Sequence, residues 1–131
     1  MTQEQKDLLL KDISARLPYE VKISVNDKVE TLEGISILEN SMEYGSFLVS
    51  DIEEVKPYLF PISSITIEQE KELSKLGVSY CEYALHDDIR GLGIMVEDAY
   101  IFFEYCYKHH IDFLGLIKMG LAIDATNLNI Y

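Results

Sequence analysis

The sequence predicts an α+β domain: an N-terminal helix, a three-stranded antiparallel meander, then C-terminal helices packed on one face of the sheet. Three observations predict it. A capped amphipathic run opens the chain, alternating apolar residues flank a turn between 21 and 37, and helical spacing dominates beyond residue 66. The 131 residues fit one globular domain, 1–131. At 48% hydrophobic, the chain has apolar material for one core and too much for a disordered segment.

Residues 2–16 form the first helix. Thr2 is the N-cap and Gln5, three residues on, completes a capping box. Leu9, Ile13 and Leu17 make an apolar stripe widened by Leu10, and Pro18 stops the run. Lys6, Asp7, Lys11, Asp12 and Arg16 are expected on the solvent face. Val21, Ile23 and Val25 then alternate with polar residues, Asn26-Asp27-Lys28 supplies turn chemistry, and Val29 to Ile37 returns as a second arm that bends at Gly34. The segment ENSMEYG is expected as a loop before a third strand over residues 45–52. Pro57 and Pro61 hold an extended crossing. Thr66 and Gln69 form a second capping box, and Gly77 ends that helix. Residues 78–95 fit either a strand or an irregular crossing. Residues 96–110 carry Ala99, Phe103, Cys106 and His110 at helical spacing, with Glu97 and Asp98 in the first turn and Lys108 and His109 in the last, which suits the helix dipole. Residues 113–121 read as a short apolar helix, and the tail as a last short strand or a frayed end.

Charge excludes several functions. With 23 acids against 11 bases the net charge is −12, so the basic footprint needed for direct nucleic-acid binding is missing and anionic membrane surfaces are disfavoured. The first 17 residues hold acids and no long apolar run, so no signal peptide is expected, and no apolar stretch is long enough to span a bilayer. The two cysteines, Cys81 and Cys106, are too few and too far apart for a Cys-x-x-Cys motif, which favours a cytoplasmic protein with reduced thiols.

The candidate chemistry lies in two places. YKHHIDFLGL, residues 107–116, holds His109, His110 and Asp112. Adjacent helical residues point about 100° apart, so the two histidines cannot share one ion; Cys106 and His110, four apart, are the pair with ligand spacing. A nucleophilic Cys106 activated by His110 is the catalytic version of the same pair. The blander expectation is a helix end, with His110 on the apolar face and the chain turning into the next helix. The second place is HDDIR, residues 86–90, where His86 and Asp87 precede Asp88 and Arg90 in a loop. EF-hand spacing is lacking, and RGLGIM fits no phosphate loop. Ser63, Ser64 and Thr66 lack the G-x-S-x-G elbow of a serine hydrolase and read as turn and cap residues. No metal and no cofactor are therefore expected. Nine tyrosines suit interfaces, since each joins an apolar ring to a polar end.

The segments PYLFPISSIT (57–66) and HIDFLGLIKMGLAID (110–124) resemble uncharacterised short proteins of gut anaerobic bacteria and their prophages. The resemblance rests on Pro57, Tyr58, Leu59, Pro61, Ser63 and Ser64, then on Asp112, Phe113, Gly115, Leu116, Ile117, Gly120, Leu121 and Ala122. An arginine often precedes the Gly-Leu-Ile of those proteins, where this chain has Leu114. The resemblance implies a mobile-element context and brings no established activity. The expectation is a non-enzymatic intracellular protein-binding module with an unidentified protein partner and a homodimer as an option. The alternatives are an acidic inhibitor imitating nucleic-acid charge, and a small enzyme using a His/Cys/Asp site.

Overall fold

The computed structural model describes residues 1–46, 48–77 and 96–131. Helix α1 (Gln3–Arg16) opens on the expected capping box: Thr2 Oγ1 accepts the Gln5 N–H at 3.1 Å and Gln5 Oε1 accepts the Thr2 N–H at 2.9 Å. Its buried residues are Leu9, Asp12, Ile13 and Arg16. These sit at i, i+3, i+4 and i+7, one face of a helix. Asp12 and Arg16 therefore leave the solvent face on which their charge had placed them, because they neutralise each other inside. A single 3-10 turn at Leu17–Tyr19 ends the helix, and Glu20, at φ 56°, swings the chain into the sheet.

The expected meander is larger than three strands. β1 (Lys22–Val25) and β2 (Lys28–Ser36) form the hairpin, with Asn26 and Asp27 both at positive φ, as a two-residue turn requires. The segment expected as a loop contains β3 (Ser41–Tyr44), which pairs with β2 and with β4 (Leu48–Asp51). Only Met42 and Tyr44 mark its buried face, too few to make an alternation legible. The β2–β3 register shifts between Leu32 and Gly34, where the bend was expected.

The extended crossing is itself a strand, β5 (Val55–Pro61), antiparallel to β1. Val25 and Lys28 close the hairpin as a bonded pair, and Val21 O accepts the Leu32 N–H at 3.0 Å, so odd residues of β1 bond to β2 and even ones face β5. Lys56 and Tyr58 are then the β5 residues facing β1, and Pro57, which has no N–H, faces away from that ladder. Further along, Phe60 N–H donates to His110 O at 2.8 Å while Leu59 O accepts the Ala125 N–H at 2.8 Å. Successive residues of a strand turn these groups to opposite sides, so β6 (Ile111–Asp112) and β7 (Ile123–Asp124), both parallel to β5, flank it on opposite sides.

Helix α2 (Ile67–Lys75) opens on the second capping box, Thr66 with Gln69. Helix α3 (Val96–Lys108) leads straight into β6, so the chain past the histidines enters the sheet rather than another helix. The helix expected over 113–121 is a series of turns, with Gly115 at φ 79° and Gly120 at φ 75°. Left-handed glycines break helical hydrogen bonding and cost little in a turn. The tail supplies the expected short strand as β7. One apolar cluster packs α1 on the sheet through Leu9, Ile13, Ile23, Met42 and Leu59. A second joins Ile62, Leu73, Phe102, Cys106, Ile111 and Phe113 around α3.

Candidate functional site

Arg16 is the central polar residue of the interior. Its side chain is fully buried, with Nε on Asp12 Oδ2 at 2.7 Å and Nη2 on Asp12 Oδ1 at 3.0 Å. Its other bonds cross the molecule, Nη1 to Cys106 O at 3.2 Å and Nη2 to Ile111 O at 2.7 Å. The Cys106 carbonyl lies in the last turn of α3, where helical carbonyls lack intrahelical partners, and Arg16 supplies one. Its guanidinium also lies 5.3 Å from the Tyr107 ring centroid. Burial pushes the Asp12 carboxyl up, and the Arg16 charge and hydrogen bonds offset only part of that rise.

The sequence candidates fall around this centre with separate tasks. Cys106 is a buried free thiol, and burial raises its pKa, which suppresses the thiolate a nucleophile or ligand needs. α3 ends at Lys108 and His110 adopts φ 60°, so the helical geometry that made Cys106 and His110 a ligand pair stops short of His110. Asp112 is buried and committed: Oδ1 accepts the Leu116 N–H and Oδ2 the Ile117 N–H, each at 2.9 Å. Ser64 Oγ donates to Pro61 O at 2.6 Å and Thr66 caps α2, the turn and cap roles expected of them. His86, Asp87 and the rest of the HDDIR segment lie outside the described residues, as does Cys81. Among the described residues, no three His, Cys, Asp or Glu side chains gather as a metal site.

His109 and His110 share a groove of about 520 Å³ with Phe60, Ser64, Gln69 and Tyr131. The His110 ring stacks on Tyr131 at 3.8 Å and 11°, while the His109 ring leans on Tyr105 at 4.2 Å. His110 Nδ1 is buried and has no hydrogen-bond partner among the described residues. Burial, and then the positive charge of Arg16, lowers its pKa to about 4. At neutral pH it is an uncharged, weakly basic imidazole held by stacking. Burial likewise lowers the pKa of His109. Tyr131, whose importance no local pattern announced, uses its hydroxyl to accept the Lys22 N–H at 2.9 Å and donate to Tyr58 O at 2.7 Å. It thereby bridges β1 and β5 where their direct pairing ends.

The other end of the sheet has a different character. β4 is its outer strand. Ile52 N–H donates to Asn40 O at 2.9 Å and Ser50 pairs with Met42, so the alternate residue Val49 turns its backbone N–H and C=O outward and Asp51 its N–H, while the Asp51 carbonyl opens the 3-10 turn at Ile52–Glu54. Among the described residues no strand pairs with them. Leu48 is 53% exposed and Val49 56%, and at the β2–β3 turn Ile37 is 69% exposed and Leu38 98%. Glu33, Glu43, Ser46 and Val49 line a depression of about 450 Å³. Gly34 makes room there, since a Cβ on it would meet Glu43 Oε2 at 2.5 Å. Residues 28–54 carry seven acids (Glu30, Glu33, Glu39, Glu43, Asp51, Glu53, Glu54) against Lys28 alone, a net −6 out of the −12 of the whole chain.

The chain matches no protein-family model, and no significant similarity links it to a curated protein or a solved structure.

Proposed function

We propose that this chain is a non-enzymatic intracellular protein-binding module of mobile-element origin, and that the β2–β4 arm is its contact surface. One observation carries the reading: Ile37, Leu38, Leu48 and Val49 stand exposed on an arm holding half of the net charge in about a fifth of the chain. Exposed apolar side chains rimmed by charge of one sign suit a protein interface. The resemblance of 57–66 and 110–124 to prophage-borne proteins supports the mobile-element part. The test is capture of host proteins on immobilised wild type beside an Ile37→Ser, Leu38→Ser variant. A partner held by wild type and lost by the variant is the expected result. A partner held equally by both, or no partner at all, overturns the reading.

The same net −6 favours one second reading, an acidic inhibitor that occupies a nucleic-acid-binding surface. It differs in requiring the acids and not the apolar pair, so the serine variant would retain its target while a variant with Glu33, Glu39 and Glu43 changed to Gln would lose it.

A further inference from the structure

Resting on the reading above, we infer that the partner contributes a basic, extended segment that adds to β4 as an additional antiparallel or parallel strand. The backbone supplies the first argument. Val49 presents its N–H and C=O, and Asp51 its N–H, to the outside of the sheet, while the Asp51 carbonyl opens the 3-10 turn at Ile52–Glu54; an incoming strand completes the three outward groups. Outer strands in natural proteins are commonly blunted by lysine or proline. Leu48-Val49-Ser50-Asp51 has neither, and the Asp51 carboxylate is turned to its own chain, accepting the Glu53 N–H at 2.9 Å.

Register supplies the second argument. Cross-strand partners share a face, so Val49 lies on the face of Glu43 and Gly34, while Leu48 lies on the face of Tyr44 and Leu32. An added strand sits about 4.8 Å beyond β4. Its side chains beside Val49 reach the Glu33–Glu43 depression, and its alternate side chains lie beside Leu48. The surface thus selects alternation, lysine or arginine on one face and apolar residues on the other. Charge supplies the third argument, because a second copy of this chain would bring another net −6 arm against the first. The occupant is therefore a basic segment of a different protein.

The test is fluorescence anisotropy at low salt with a labelled eight-residue peptide of alternating lysine and valine, beside peptides carrying glutamate for lysine and glycine for valine. Wild type is expected to bind the lysine–valine peptide at least tenfold more tightly than either control. Val49→Pro removes an outward N–H and leaves the β3 ladder alone, so it should weaken binding tenfold or more, and Glu43→Gln should weaken it severalfold. If Val49→Pro fails to fold, Val49→Lys keeps the backbone, puts a cation beside Glu43 and should give the same loss. Equal binding by wild type and the Val49 variants, or no preference for the lysine–valine peptide, overturns strand addition. A dimer in sedimentation that Val49→Lys dissociates also overturns it, in favour of a second copy. Host-protein capture that depends on Leu38 yet survives Val49→Lys would leave the binding reading standing and sink this inference alone.

Discussion

The carboxylate of Asp12 and the guanidinium of Arg16 meet twice inside the protein, at 2.7 Å and 3.0 Å, with both side chains out of solvent. The pair lies one turn apart on α1, yet Arg16 gives two further donors to Cys106 O and Ile111 O near the other end of the chain. The first helix is thereby fastened to the end of α3 and the start of β6.

Breaking this pair from one side leaves a charge buried without its partner. Arg16→Met should destabilise the fold by about 3–5 kcal/mol, and Asp12→Leu should act in the same direction. The double variant Asp12→Leu, Arg16→Met should cost less than the sum of its parts, because each change removes the reason for the other. Urea unfolding of the four proteins checks this, and additive losses would mean the two residues act independently.

The sequence made the local features of this fold legible and concealed the distant ones. Both capping boxes follow from residues three apart. The face of α1 was legible too, since 9, 12, 13 and 16 share it, but charge argued for solvent and the compensating carbonyls lie 90 and 95 residues away. β6 and β7 are two residues each, too short for periodicity, and exist through pairing with β5. The run 113–121 looked helical because it is apolar; its glycines at positive φ and the Asp112 carboxylate fix turns instead. Of the candidate residues, Asp112 and Cys106 proved embedded in the fold's own bonding and packing. The exposed arm was harder to find, because its meaning depends on β4 being the outer strand.

Tyr131 offers a sharper test of how distant groups hold the sheet. Its hydroxyl serves the Lys22 N–H and the Tyr58 carbonyl together, and burial pushes its pKa up to about 12. Tyr131→Phe keeps the ring that stacks on His110 and deletes only the bridge. A loss of about 1–3 kcal/mol follows from leaving two polar groups unpaired. The Lys22 amide should also exchange faster with deuterium, and unchanged exchange there would show that water replaces the hydroxyl at no cost.

Asp112 accepts two backbone N–H groups in the turn that replaces the expected helix. Asp112→Ala removes both acceptors and should cost about 2 kcal/mol or more, whereas Asp112→Asn retains one carbonyl oxygen and should fall between. Thermal melts at pH 7 rank the three proteins. A melt of Asp112→Ala equal to wild type would show that the turn is set by Gly115 and Gly120 alone.

His110 makes the stability of the fold respond to acid. Its pKa is lowered from 6.5 to about 4 by burial, then by the positive charges of Arg16, His109 and Lys22. Protonation would also require a donor at Nδ1, which is buried and has no acceptor among the described residues. The folded state therefore holds the ring neutral while the unfolded chain takes up a proton between these values. The contribution of His110 is complete above pH 6.5 and is lost as the pH falls from 6.5 toward about 4. The slope from this one group cannot exceed about 1.4 kcal/mol per pH unit, and partial exposure makes it smaller. His110→Asn isolates it, because asparagine tolerates the left-handed backbone at φ 60° and does not titrate. The carboxylates titrate in both proteins, so the informative quantity is the difference between them. Melting temperatures from pH 7.5 down to 4.5 should decline more steeply for wild type than for the variant, by a few degrees over that span. Parallel curves would mean that the imidazole accepts its proton in the folded protein as readily as in the unfolded chain.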